Sequence, residues 1–191
     1  EPVAAPGSDG RLGQHTADLE GLLAQPAVGC RMVTEEAIWE ALADVRDPEI
    51  PPVSIVDLGM VHRVEAGAHV RVEILPTFVG CPALEIIRRD VEARLRAVPG
   101  VEAVEVAFVL DPPWSSDRIT AEGRRRLRSV GIAPPAAGPA GARLVPAPEE
   151  APACPYCGSA DTHLENLFGP TACRSIYYCG GCRQPFEQMK R

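Results

Sequence analysis

Several features that would announce a familiar function are missing from this sequence. No apolar run approaches the roughly 20 residues that span a bilayer, so no membrane-crossing helix is expected. Positive charge is short: 19 Lys and Arg face 26 Asp and Glu, a formal net charge of −7. Nucleic-acid binding, which runs on phosphate neutralisation, is therefore not expected. The four histidines, His15, His62, His69 and His163, show no paired ligand spacing, and no Glu-x-x-His pair occurs. That leaves nothing to build a di-iron carboxylate centre on bundle helices. No glycine-rich dinucleotide fingerprint follows a strand, so a nicotinamide or flavin site of the usual kind is absent too. Nor does the start of the chain show a basic region followed by an apolar stretch, and a cytoplasmic location is expected.

What is present is an excess of chain-breaking residues and a bunching of cysteine. Twenty prolines and 17 glycines make up about a fifth of the 191 residues, against roughly 12% in average proteins. Residues 1–32, rich in Gly, Ala and Pro, read as a flexible tail. Residues 131–153 contain six Pro, eight Ala and three Gly and read as an extended linker. A body, 33–130, and a C-terminal module, 154–191, lie on either side of that linker. Five of the seven cysteines fall in the module, a distribution that suits metal ligation better than a disulfide framework.

The body reads as a small α+β layer in the order α-β-β-α-β-α: a three-stranded sheet with helices on one face. Thr34 suits a helix cap, with Glu35 and Glu36 in the first turn and Ile38, Leu42 and Val45 on one face. The pair Asp47-Pro48 is expected to end that helix. Two strands flank Ala66-Gly67-Ala68, the second alternating Val70, Val72 and Ile74 with Arg71 and Glu73. A second helix follows Cys81-Pro82, with Leu84, Ile87, Val91, Leu95 and Val98 at helical spacing. A third strand places Val104, Val106, Phe108 and Leu110 on one face, and a last helix over 117–129 stops at Gly131.

The clearest chemical signal is Cys154-x2-Cys157, 21 residues, then Cys179-x2-Cys182. Two such pairs form the knuckles of a zinc ribbon, each donating two thiolates to one tetrahedral ion. Four thiolates close the coordination shell, so this zinc is expected to be structural; a redox or cluster-binding role is the alternative. The fifth cysteine of the module, Cys173, is surplus to that set. It is either an inert thiol or a transient ligand or contact, with Arg174 favouring its thiolate. In the body, Cys81 stands where a strand gives way to a helix. The free amides and positive end of that helix are expected to lower its thiol pKa, making it a nucleophile or soft-metal ligand. A buried structural cysteine is the plain alternative. No cysteine lies three residues on, which excludes a thioredoxin-type pair. The acidic loop 47–59 brings Asp47, Glu49 and Asp57 as oxygen ligands near Cys81 if it folds back, or else as ordinary turn residues. The run Arg124, Arg125, Arg126 and Arg128 reads as a solvated helix face, with docking to an acidic partner as the alternative.

Asp47-Pro48-Glu49-Ile50-Pro51, Ser54-Ile55-Val56-Asp57-Leu58-Gly59 and Gly80-Cys81-Pro82 together resemble the SufT-type domain of iron–sulfur assembly proteins. Pro112-Pro113-Trp114-Ser115-Ser116-Asp117, Glu122-Gly123-Arg124-Arg125, Gly131-Ile132-Ala133-Pro134-Pro135 and Phe168-Gly169-Pro170-Thr171-Ala172-Cys173 narrow the resemblance to the PaaD family of phenylacetate degradation. The likeness spans about 33–191. It implies an accessory role in maturing a phenylacetyl-CoA oxygenase (epoxidase) system, without catalysing the oxygenation. It also implies partners: the oxygenase and reductase subunits, and iron–sulfur carrier proteins. The functional thiol falls on Cys81, with Asp47, Glu49, Asp57 and Thr77 beside it. The expected cofactors are a structural zinc and a transient iron or iron–sulfur cluster. Oligomeric state is left open, a homodimer included.

Two rival readings differ in class. One is a non-catalytic binding module that holds oxygenase and reductase together, with Pro113-Trp114 and the ribbon as contacts. The other is a thiol enzyme with Cys81 as nucleophile, weakened by the lack of an evident histidine base.

Overall fold

Thr34 opens the first helix as its sequence suggests. In the computed structural model, which describes residues 32–135 and 151–190, its hydroxyl accepts from the Ala37 amide at 3.3 Å. Helix α1 (Glu35–Ala43) buries Ile38, Ala41 and Leu42. It ends at Asp44, earlier than Asp47-Pro48 suggested, because residues 46–54 fold into a hairpin of β1 (Arg46–Asp47) and β2 (Ile50–Ser54). Asp47 serves the turn of that hairpin: its Oδ1 accepts from the amides of Glu49 at 2.8 Å and Ile50 at 3.0 Å. Strands β3 (Val61–Glu65) and β4 (His69–Ile74) pair antiparallel across the predicted turn. Val70, Val72 and Ile74 are buried, so the period-2 alternation did mark the core face.

Helix α2 (Leu84–Arg96) buries Ile87, Val91 and Leu95 and returns the chain to β5 (Ala103–Phe108), which runs parallel to β4. A parallel neighbour needs such a crossover. Only Val106 of the expected β5 stripe is fully buried; Leu110 lies beyond the strand and is 56% exposed. The predicted last helix is a 3-10 turn, Ser116–Arg118, followed by α3 (Ala121–Ser129). Thr120 caps α3 by accepting from the Gly123 amide at 2.9 Å. The order α-β-β-α-β-α is thus present, with the β1–β2 hairpin added after α1.

The predicted linker starts too early. Ile132–Ala133 form β6, buried and parallel to β9 (Pro185–Met189) of the ribbon. With β7 (Thr162–Asn166) and β8 (Arg174–Cys179), the sheet order is β6-β9-β8-β7. The surrounding Pro and Ala hid this two-residue apolar segment, whose value lies in the open edge of β9. Gly131, just before it, has φ 78°, and a Cβ there would overlap the Tyr156 hydroxyl of the first knuckle. Ile132 and Met189 enter the main core beside Leu42, Val53 and Leu127. Body and ribbon therefore belong to one compact unit. The tail with Cys30, and linker residues 136–150, lie outside the described residues.

Candidate metal and thiol site

The ribbon's knuckles are built by backbone geometry. In each, the residue after the second cysteine takes a left-handed conformation: Gly158 at φ 76° and Arg183 at φ 58°. The turns close through amides of those same residues, Gly158 onto the Cys154 carbonyl and Arg183 onto the Cys179 carbonyl, both at 2.9 Å. This brings Cys154, Cys157, Cys179 and Cys182 together with all four sulfurs within 4.8 Å of one another. The sulfurs of Cys154 and Cys182, and of Cys157 and Cys179, are 3.6 Å apart. Tetrahedral zinc with 2.3 Å bonds requires sulfurs about 3.8 Å apart, so the set fits that ion. Burial and the other three sulfurs push the Cys182 thiol up to about 12, while the Cys182 amide and the neighbouring sulfurs bring the Cys179 thiol down to about 7, so the set does not ionise uniformly on its own.

The second cluster lies where the ribbon meets the body. Cys81, Glu49 and Phe78 of the body and Thr171, Ala172 and Cys173 of the ribbon line a cavity of about 180 Å³. Cys81 is half-buried, two residues before the Ala83 cap of α2. Burial pushes its thiol above the ordinary range; the Ala83 amide, donating to the sulfur, opposes this, and negative charge on Glu49, Cys173 and Asp47 raises it further. The expected lowering by the helix terminus is therefore overturned. One amide reaches the sulfur, and it is outweighed by desolvation and neighbouring acids. Burial likewise raises the Asp47 carboxyl, against the pull of the Glu49 and Ile50 amides and of Arg174.

Glu49 faces the ribbon, with its Oε2 4.0 Å from the guanidinium of Arg174. Arg174 is only 6% exposed. It ion-pairs with Glu187 at 2.7 Å and donates through Nε to the Thr171 hydroxyl at 2.8 Å. That hydroxyl stands 3.1 Å from the sulfur of Cys173. Thr77 lines an adjoining cavity of about 250 Å³ with Phe78, Trp114, Phe168, Cys173 and Met189.

Asp57 has a different task. Its Oδ2 accepts from the Ser54 amide at 2.9 Å and from Arg126 at 2.8 Å, while its own amide donates to the Ser54 hydroxyl. It lines neither cavity. The basic run is likewise not simply a solvated face: Arg124 donates to the carbonyls of Pro135 and Ser116, and Arg126 joins Asp57 to Glu122. Trp114 is a packing residue whose indole donates to the Leu58 carbonyl at 2.9 Å.

Of the residues singled out in the sequence, Cys81, Glu49 and Cys173 line one cavity, Thr77 lines the adjoining one with Cys173, Asp47 serves the hairpin turn and Asp57 lies apart. Sequence reasoning did not foresee the part of Thr171, Arg174 and Glu187. An arginine opening a strand looks solvent-facing in sequence, and nothing local marked this one as the centre of a network.

A small α+β domain joined to a four-cysteine β ribbon defines the class, and comparison with known families agrees. The model of iron–sulfur cluster assembly proteins matches residues 35–107, and that of the PaaD zinc beta ribbon domain matches 140–190. The chain is 40% identical over 154 residues to an Escherichia coli protein named as a component of the 1,2-phenylacetyl-CoA epoxidase, covering 80% of this chain and 90% of that one. It belongs to the PaaD family. An Fe-S protein maturation auxiliary factor of Porphyromonas gingivalis is 38% identical over 96 residues, 49% of this chain and 90% of that protein. Among solved structures, a domain of unknown function from Bacillus anthracis aligns over 49% of this chain and 90% of its own, with 35% identity and a TM-score of 0.46. Among the described residues, no helix is long and apolar enough to cross a membrane.

Proposed function

We propose that this chain is an accessory maturation factor for a multicomponent phenylacetyl-CoA epoxidase, assisting metal or iron–sulfur assembly through Cys81 and the acidic loop. The observation that carries this reading is the Cys81 thiol sharing with Glu49 the cavity between body and ribbon. The family relationship supplies the epoxidase context, and the assembly-type domain supplies the class of activity. Iron is the cargo, taken up as a ferrous ion or as part of a cluster. A thiolate with a carboxylate suits ferrous iron, and binding displaces the Cys81 proton to solvent. A raised thiol pKa keeps the empty site protonated, so loading weakens as pH falls and strengthens as it rises. Zinc in the ribbon is structural, the site of action is the cytoplasm, and the recipients are the oxygenase or reductase subunits.

The test is co-expression of the epoxidase components with wild-type chain or Cys81→Ser, followed by iron and sulfide analysis of each purified component. Full metal content and activity with Cys81→Ser would refute the proposal.

A second reading rests on exposed apolar side chains around the same region: Phe78, Val79, Leu167 and Phe168, with Phe168 71% exposed. Here the chain holds oxygenase and reductase together and handles no iron. Stoichiometric co-purification with fully active oxygenase, unaffected by Cys81→Ser, favours this reading over the first.

A further inference from the structure

The ribbon is more than a structural appendage, because it supplies half the lining of the cavity in which Cys81 acts. We infer that Cys81 and Cys173 form a composite two-thiolate site, completed by Glu49, that takes a divalent soft or borderline cation such as ferrous iron. The inference deepens the maturation reading and rests on it for the identity of the cargo.

Three observations converge. Cys81 of the body and Cys173 of the ribbon line one cavity with Glu49 of the β1–β2 turn. Thiolate, thiolate and carboxylate is a donor set for iron, zinc or cobalt rather than for magnesium or calcium. Second, three acids, Asp47, Glu49 and Glu187, stand around the cavity and its wall against two cations, Arg174 and Lys190, so acidic groups are in slight excess there. Third, the second thiol has a hydrogen-bonding partner behind it. Arg174 Nε donates to the Thr171 oxygen, which leaves the Thr171 proton free to point at the Cys173 sulfur. A buried, ion-paired arginine fixes that hydroxyl as metal sites fix their ligands through a further layer of hydrogen bonds.

Among the described residues only the ribbon's four knuckle sulfurs already stand within 4.8 Å of one another. Cys81, Cys173 and Glu49 are not gathered in this way, so the proposed site is open and its ligands have to close upon the cation. That suits cargo which has to be released, where a closed four-thiolate shell does not. Uptake balances as one M(II) ion binding two neutral thiols and one carboxylate, with two protons released to solvent and no change of oxidation state.

The test is anaerobic titration of the zinc-loaded full chain with cobalt(II), reading thiolate-to-cobalt charge-transfer absorption while ribbon zinc stays at one per chain. Wild type is expected to bind one cobalt with the absorption of two thiolates. Cys173→Ser and Cys81→Ser should each retain the absorption of one thiolate and bind at least about tenfold more weakly, no less than the loss of a supporting hydrogen bond. Thr171→Val, which keeps both sulfurs, should retain the two-thiolate spectrum and weaken binding by about 10–100-fold. Loss of binding in Cys81→Ser with Cys173→Ser like wild type overturns the composite site and leaves the single-thiol reading standing. A Cys81→Ser chain that binds cobalt like wild type overturns both. A wild-type chain that takes up no cobalt beyond its zinc overturns the composite site, and the maturation reading is then judged separately by the metal content of the epoxidase components.

Discussion

Cys81 illustrates how a single position can be read correctly for identity and wrongly for state. The motif around it marks a thiol at a strand-to-helix junction, and the thiol is there. Its acidity is decided by burial and by Glu49, Cys173 and Asp47, which outweigh the one helix amide that reaches the sulfur. Because the thiolate is the reactive form, alkylation of Cys81 at neutral pH is expected to be slower than that of free cysteine. Its rate should climb with pH to a midpoint above the free thiol's. Mass-spectrometric rates across pH decide this, and a midpoint at or below free cysteine would mean that the helix terminus dominates after all. Asp57 is the converse case, an acid in a suggestive motif whose carboxylate is consumed by the Ser54 amide and Arg126. Asp57→Ala should lower stability by about 1–3 kcal/mol, since buried donors lose their acceptor. The alkylation rate of Cys81 should stay unchanged, because Asp57 lines neither cavity. Denaturant unfolding alongside the alkylation assay separates the two effects.

Among the elements, sequence is most legible where the signal is local. The Thr34 cap, the turn after β3 and the apolar stripe of α2 all depend on neighbours within a few residues, and sequence displays those. Thr120→Ala should destabilise by about 1 kcal/mol, the usual worth of a lost helix cap, measurable in thermal or denaturant melts. Besides the β1–β2 hairpin, the element that escaped was β6. Two apolar residues among Pro and Ala carry no periodicity, and only the open edge of β9, more than 50 residues away, makes them a strand. Gly131 permits that approach by its left-handed backbone and lack of a side chain. Gly131→Ala is expected to cost about 1–3 kcal/mol. Its signature should be a local loosening of the ribbon, seen as faster hydrogen exchange in β6 and β9.

At the scale of the whole molecule, the four-cysteine ribbon and the body are coupled through shared core. Met189 and Ile132 are packed among body residues, so chelating the ribbon metal should loosen both parts. Each of those two side chains contributes about 1.5–3 kcal/mol of burial, and zinc-ligated modules tend to unfold without their metal. A chelator is therefore expected to lower the melting temperature of the body as well as the ribbon, and to open the cavity at Cys81 to faster alkylation. Melting of the ribbon alone, with the body transition unmoved, would contradict this coupling. The sequence by itself determined the α-β-β-α-β-α order of the body, the β1–β2 hairpin apart, the four cysteines of the ribbon, and a thiol just before α2. These follow from spacing, capping and pattern, all of which act over short chain distances. Tertiary structure alone decided that Cys173 and Thr171 of the ribbon share a cavity with Cys81, with Arg174 bonded to Thr171, and that Asp57 does not. It also decided that a supposed linker begins with a strand. Such facts rest on pairings between residues up to 90 or so positions apart, and no local pattern of apolar or charged residues encodes which distant side chains share one cavity.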